Sequence, residues 1–286
     1  MMKTTMPFTS SGKNTKNTPA SPIVASQSSE LQPRKSASGM ARKIPVEGGE
    51  DSVAVEEPLE IRVAGRPIAV TMRTPGDDEA LALGFLHGEG LIAEAREAGP
   101  TADFAANTVE VAGPLLRDPG ERSFYTTSSC GVCGKGALEQ VAVDAPRLGD
   151  GPRVEREVLA RLPERLREAQ PGFEATGGLH ATGLFTPDGE LVCVREDVGR
   201  HNAMDKVIGT CLIAGRMPLA GYVLCVSGRL SFELVQKAAV ARAPVLVGVG
   251  APTSLAVELA SDRNLTLAGF ARGGRVNVYT SGSRVR

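Results

Sequence analysis

The sequence predicts an α/β fold: a mixed, largely parallel sheet covered by helices on both faces, preceded by a smaller α+β part. Three observations predict it. From Tyr222 onward, short apolar runs alternate with helical segments opened by Ser or Thr, the pattern of strands buried on both faces. Just before them, His180 to Thr186 and Leu191 to Glu196 enclose Pro187-Asp-Gly189, which has the chemistry of a hairpin turn. Nearer the N-terminus, Leu59 to Val63 and Pro67 to Thr71 flank Ala64-Gly-Arg66, a second hairpin followed by a helix rather than by further alternation.

Taken in order, residues 1–55 are expected to be a tail. The stretch up to Lys43 is rich in Ser, Thr, Pro and Lys without periodic apolar residues, so burial cannot offset its ordering entropy. Order is expected from near Glu56, with an α+β part over 56–125. There Asp77 or Asp78 is the expected N-cap of a helix through Leu81, Leu83, Phe85 and Leu86, closed by His87 in its last turn. Thr108 to Val111 reads as a short strand, and Arg153 to Glu168 as a surface helix leading into a loop. A mobile glycine-rich loop over 126–136 separates that part from an α/β domain over 137–286. Within the domain, Arg200 to Ala214 is a helix with Val207, Ile208, Cys211 and Leu212 on one face. Strands follow at Tyr222 to Val226, Val245 to Val249, Leu265 to Phe270 and Val276 to Tyr279, with helices at Ser231 to Ala241 and Ser254 to Arg263.

Composition narrows the function. The 286 residues carry 32 Lys plus Arg against 33 Asp plus Glu, and the net charge of -1 offers no general attraction to nucleic acid or anionic membranes. Neither is expected as a partner. The N-terminus lacks the apolar core of a secretory signal, and no apolar run has membrane length, so a soluble cytoplasmic protein is expected. Of the five cysteines, Cys193, Cys211 and Cys225 fall in apolar segments as small hydrophobes, which suits a reducing compartment.

Ligands of open α/β sheets bind beyond the carboxyl ends of the strands. Those ends run into Ser227-Gly-Arg229, Gly250-Ala-Pro-Thr-Ser254 and Ala271-Arg-Gly-Gly-Arg275. Small residues permit close backbone approach, and arginines present planar forks to phosphate oxygens, so an anionic ligand is implied. Gly248-Val-Gly250 is no dinucleotide fingerprint, because it lacks the third glycine and is followed by Pro252.

The other candidate is Thr126-Thr-Ser-Ser-Cys-Gly-Val-Cys-Gly-Lys135. Two thiols at this spacing supply half of a zinc site, but no second pair and no closely spaced His accompany them. As a dithiol switch, Cys133 at the start of a helix over Ala137 to Val143 has the geometry that lowers a thiol's pKa, yet Ser123 to Ser129 is too polar for the central strand of a thioredoxin fold. Sulfur relay is the third reading and explains the stretch best. One thiolate takes a sulfane sulfur as a persulfide, and the other, three residues away, holds the same sulfur in turn or attacks the carrier to release sulfide. A thiol-disulfide oxidoreductase and a nucleotide-binding chaperone without sulfur transfer remain the rival classes.

Several blocks together resemble the formate dehydrogenase accessory sulfurtransferases, the FdhD family. They are Thr71-Met-Arg-Thr-Pro-Gly-Asp-Asp78, Leu81 to Gly90, Ser129 to Gly134, Thr176 to Gly183, Glu196 to Lys206, Ser227 to Glu233 and Gly269 to Tyr279, spanning nearly the whole chain after the tail. The resemblance implies a cytidine-deaminase-like α/β fold without the deaminase zinc, and a homodimer. It implies a sulfurtransferase that receives sulfur from a cysteine desulfurase and passes it to a bis-molybdopterin guanine dinucleotide cofactor destined for formate dehydrogenase. By motif, Cys130 corresponds to the persulfide cysteine and Cys133 to its companion, while Phe270, Ala271, Arg272, Gly273, Gly274 and Arg275 correspond to the segment that contacts the cofactor. In that arrangement Arg272 and Arg275 hold the pyrophosphate, backbone N–H groups of Gly273 and Gly274 approach it, and Arg229 adds a second cationic clamp. No structural metal is expected. His180 and His201 are candidate acid–base groups or structural histidines, and Asp197 and Asp205 candidate functional or helix-positioning carboxylates.

Overall fold

The computed structural model describes residue 31 and residues 37–101, 107–119, 124–126 and 145–286. Cys130 and Cys133, the loop expected after Thr126 and the helix expected over Ala137 to Val143 lie outside the described residues.

Order does not begin near Glu56. Strands β1 (Ala41–Val46) and β2 (Gly49–Ala54) form an antiparallel hairpin inside the expected tail. It escapes a hydropathy reading because its residues are mostly exposed; its anchor is Met40, buried to 3% exposure just before β1.

β3 (Glu57–Val63) and β4 (Arg66–Arg73) are the expected second hairpin. Its turn places Ala64 and Gly65 at φ 51 and 75, the left-handed pair that matches strand twist. Then α1 (Asp78–Gly88) begins, with Asp77 at the N-cap position as expected, but at φ 57 and with no capping bond from its side chain. Asp77 instead lies 3.5 Å from Arg195, and Asp78 accepts two hydrogen bonds, 3.0 and 2.9 Å, from Arg73. Arg73 is buried to 1%, and a buried guanidinium demands carboxylates more strongly than a helix end does. β5 (Ala98–Pro100), β6 (Thr108–Val111) and β7 (Phe124–Thr126) complete a five-stranded sheet in the order β5-β6-β3-β4-β7.

Next come α2 (Arg156–Glu168) and α3 (Pro171–Thr176), the latter where a loop was expected. The carboxylate of Glu196 organises that short helix by accepting from Gly172 N–H at 2.9 Å and Phe173 N–H at 2.7 Å. The expected hairpin is β8 (His180–Phe185) and β9 (Leu191–Asp197), followed by α4 (Arg200–Ile213), β10 (Val223–Val226), α5 (Phe232–Val240), β11 (Val245–Gly248), α6 (Ser254–Asp262), β12 (Thr266–Arg272) and β13 (Arg275–Val278). They build a six-stranded sheet in the order β13-β12-β11-β10-β8-β9. β10 to β12 run parallel, and β9 points the same way because β8 is antiparallel to both β9 and β10; β13 is antiparallel to β12.

The sheet is apolar on both faces. Along β10, Leu224 and Val226 join the core shared with α1, α4 and α5, while Val223 and Cys225 join the core under α2. Thus α2 is not a simple surface helix, since Leu159, Leu162 and Leu166 are buried across the second face. On the first face α1 and α4 cross at backbone contact. A Cβ on Gly84 would stand 1.8 Å from the Asp205 carbonyl oxygen, and one on Gly209 1.8 Å from that of Ala80. Cys193, Cys211 and Cys225 are free and buried, and burial raises every one of these thiols, Cys193 to about 11. Among the described residues no helix is long and apolar enough to cross a membrane, and no cluster of His, Cys, Asp and Glu could hold a metal ion.

Candidate anion and cofactor site at the carboxyl edge

The strands β9, β10, β11 and β12 end on one edge of the larger sheet, and the antiparallel β8 and β13 start there. The edge therefore gathers His180, the turn after β9, Ser227-Gly-Arg229, the loop after β11, and the tip of the β12–β13 hairpin.

These loops are laced to each other. Gly250 N–H donates to Gly228 O at 3.1 Å and Phe270 N–H to Gly250 O at 3.1 Å; Leu230 N–H reaches Ala251 O at 3.0 Å. Such close approach needs a residue without a side chain: a Cβ on Gly250 would lie 3.1 Å from Arg229 Cα. The lacing extends the sheet's rigidity one residue beyond its strands.

The hairpin tip is the most unusual backbone. The β12 register shifts between Gly269 and Arg272, and Phe270 in that bulge has φ 52, a conformation that costs a bulky residue about 1–3 kcal/mol. The bulge turns the Phe270 ring outward, 51% exposed, and buries Ala271 completely. Arg272 and Arg275 then pair across the strands, joined by Gly273 and Gly274 at φ 57 and 73. Both arginines are exposed at one tight turn, and Arg229 is exposed on the loop after β10. Among the described residues none of the three forms an ion pair.

The two histidines stand at the same edge in different surroundings. His180 Nδ1 lies 3.4 Å from Ser227 Oγ, which also accepts from Ala181 N–H at 2.9 Å. Burial lowers the His180 pKa, and the charges of Arg200 and His201 lower it further against the opposing pull of Asp197. Nε of Arg200 is buried with no hydrogen-bond partner among the described residues. His201 Nε2 lies 2.6 Å from Glu233 and 3.3 Å from Ser231 Oγ, and its hydrogen bond holds the Glu233 carboxyl below the usual range.

Asp197 and Asp205 do not face the edge. Asp197, completely buried, sits 2.7 Å from Lys206 and accepts from the backbone N–H groups of Thr74 at 3.1 Å and Gly199 at 2.8 Å. Lys206 also donates to Thr74 O at 2.7 Å, and Asn202 to Met72 O at 2.8 Å. These residues fasten the segment after β4 to the end of β9. Asp205 pairs with the buried Lys237 at 2.9 Å, and desolvation raises it to about 6 even there.

A cavity of about 580 Å³ opens between α2, α3 and this edge. Its lining joins His180, Ser227, Ala271 and Arg272 of the edge to Phe173 and Leu166 of the two helices. That volume suits a cofactor-sized ligand.

The sequence model of the FdhD/NarQ family matches residues 54–286, most of the chain. The chain belongs to the FdhD/NarQ family. Relatives named sulfur carrier protein FdhD include one from Streptomyces avermitilis, 54% identical over 252 residues, which cover 82% of this chain and 89% of that protein. Another, from Saccharolobus solfataricus, is 45% identical over 240 residues, covering 82% and 91% of the two chains. A crystal structure from Desulfotalea psychrophila, named as a candidate formate dehydrogenase accessory protein, is similar with a TM-score of 0.68 at 28% identity, covering 86% of this chain and 98% of that one.

Within this FdhD/NarQ chain, the fold brings Arg229, Phe270 and the segment from Ala271 to Arg275 to the same edge as His180 and His201. It assigns Asp197 to an internal lock. Lys206 and Arg200 were not singled out from the sequence. The signal for Lys206 was a lysine between Met204 and Val207 on an apolar helix face, a charge that must find a buried partner.

Proposed function

We propose that the chain is a sulfurtransferase that carries sulfane sulfur on Cys130 toward formate dehydrogenase maturation. The observation that carries this reading is the family match over residues 54–286, which contains the Cys130 and Cys133 pair. In the first step the Cys130 thiolate attacks the outer sulfur of a cysteine desulfurase persulfide. A new S–S bond forms on Cys130, and the desulfurase thiolate leaves with the bonding electrons. In the second, Cys133 attacks Sγ of Cys130 and expels hydrogen sulfide ion as a Cys130–Cys133 disulfide closes, the two thiols supplying both electrons. A cellular dithiol reductant resets the pair.

The acceptor is a bis-molybdopterin guanine dinucleotide, the substrate of the transfer. The carboxyl edge suits its diphosphates, because Arg272 and Arg275 flank one turn and form no ion pair among the described residues, Arg229 stands on the next loop, and bidentate arginine–phosphate contacts are strong. The bulge at Phe270 is a place where backbone strain is retained, as at ligand clamps. We read the working protein as a cytoplasmic homodimer with a cytidine-deaminase-like α/β domain.

The test loads the protein with ³⁵S through a cysteine desulfurase and measures transfer to apo formate dehydrogenase. Cys130→Ala should accept no label, whereas Cys133→Ala should take it up and release little. Full delivery by Cys130→Ala would remove the proposed role.

A further inference from the structure

His201 combines two features that the proposed sulfur transfer has not used. Its Nε2 lies 2.6 Å from the Glu233 carboxylate and 3.3 Å from Ser231 Oγ, both at the start of α5, and its Nδ1 makes no hydrogen bond among the described residues. A carboxylate at one ring nitrogen fixes the tautomer with its hydrogen on that side, so Nδ1 keeps the lone pair. The same contact holds Glu233 as a carboxylate, its hydrogen bond to His201 being the main cause of its lowered pKa. The ring is 15% exposed, shielded from bulk water but not sealed off. The other titratable groups within electrostatic reach of it are His180 from β8 and Asp205 from its own helix, while Lys237 and Arg200 act on Glu233.

The second feature is where the chain sets out toward its thiols. β7 runs parallel to β4, and its last residue, Thr126, stands opposite Thr71. Thr71 Oγ1 donates to Asn202 Oδ1 at 3.3 Å, and Asn202 Nδ2 donates to Met72 O at 2.8 Å. The strand beside β7 is thereby fastened to the first turn of α4, next to His201. Cys130 follows Thr126 by four residues, a contour of at most about 14 Å.

We infer that His201 is the general base that takes the proton of the Cys130 thiol during sulfur loading, with Glu233 as its positioning residue. The inference rests on the sulfurtransferase reading and adds the group that makes the thiol a nucleophile. The S–H proton of Cys130 passes to Nδ1 while the sulfur electrons form a bond to the outer sulfur of the desulfurase persulfide. The S–S bond of that donor breaks, its thiolate leaves with the bonding electrons, and Nδ1 returns the proton to it. One thiol is consumed and one released, with no further reactant. At neutral pH an unassisted thiol is only slightly ionised, so the base matters most there and least above the ordinary thiol pKa of about 8.5.

The rate of Cys130 alkylation by iodoacetamide is followed by peptide mass on the full chain at about pH 7 and about pH 9.5, on either side of that ordinary value. Loading with ³⁵S from a cysteine desulfurase is measured at the lower pH. His201→Ala should slow both reactions about tenfold or more near neutrality and alkylate at nearly the unaltered rate at the higher pH, where the thiol ionises by itself. Added imidazole should restore the neutral rate. Glu233→Gln, at a side chain 41% exposed, keeps the hydrogen bond without the charge. It should show the same pattern with a smaller loss, and it keeps the idea testable if His201→Ala unfolds. A loss equal at both pH values would mean a structural role, and no loss at either would mean none; both outcomes overturn the assignment. If ³⁵S loads normally into both variants, the sulfurtransferase reading stands and the base falls. If the unaltered protein takes up no label but its alkylation still depends on His201, the base stands and that reading falls.

Discussion

The two ends of one sheet edge treat charge in opposite ways. Where β9 ends, Asp197 and Lys206 are 0% and 1% exposed, 2.7 Å apart, and their remaining capacity is taken by backbone groups of Thr74 and Gly199. Where β12 ends, Arg272 and Arg275 are exposed on a two-glycine turn and pair with no described carboxylate. Both ends are charged and lie beside glycines, and both belong to blocks that carried the family resemblance. Satisfaction separates them: a charge whose partners are inside the fold holds the fold, and one without partners is open to a ligand.

The contrast can be broken most forcefully at the locked end. Lys206→Met leaves Asp197 buried without its cation and should cost about 3–5 kcal/mol in urea unfolding. A loss below about 1 kcal/mol would mean that the pair is not the lock. At the open end Arg275→Ala should change stability by no more than about 0.5 kcal/mol while weakening pyrophosphate binding at fixed salt about tenfold or more. Unchanged affinity would remove Arg275 from the site. Phe270→Gly sharpens the contrast through the backbone. It relieves a left-handed φ and exchanges an exposed ring for hydrogen, so the midpoint of thermal unfolding should rise by the equivalent of about 1 kcal/mol while pyrophosphate affinity falls. A lower midpoint would show that the ring is packed rather than presented.

The smallest effect is electrostatic and lies between the two ends. His180 has its folded pKa below its unfolded value, so the unfolded chain binds that proton more readily. Stability from this group is complete above the unfolded value of about 6.5 and is lost as the pH falls toward the folded one. Arg200→Gln removes one of the charges that lower it. The His180 midpoint measured by NMR should rise, and the acid-side loss of stability should shrink. A midpoint unmoved by the substitution would mean that Arg200 does not help to set it.

Much of the larger sheet was legible because its strands are apolar runs and the helices after β10 and β11 start on Ser231 and Thr253, both local signals. The hairpin over Ala41 to Ala54 was not, since its strands are mostly exposed and carry no apolar face, with the buried Met40 just before them. Asp77 takes the expected cap position, but its side chain makes no capping bond for a nonlocal reason: Arg195 and Arg73 face the carboxylates of Asp77 and Asp78.

By itself, then, the sequence determined most strands and helices of the larger sheet and the arginine-glycine turn, because each depends on neighbours within a few residues. The tertiary structure decided which charges are spent and which remain. Asp197 meets Lys206 and Thr74, Glu196 meets α3, and His201 meets Glu233 only after segments distant in the chain are brought together. The cost of burying a polar group without a partner is set by those encounters, and no window of sequence contains them.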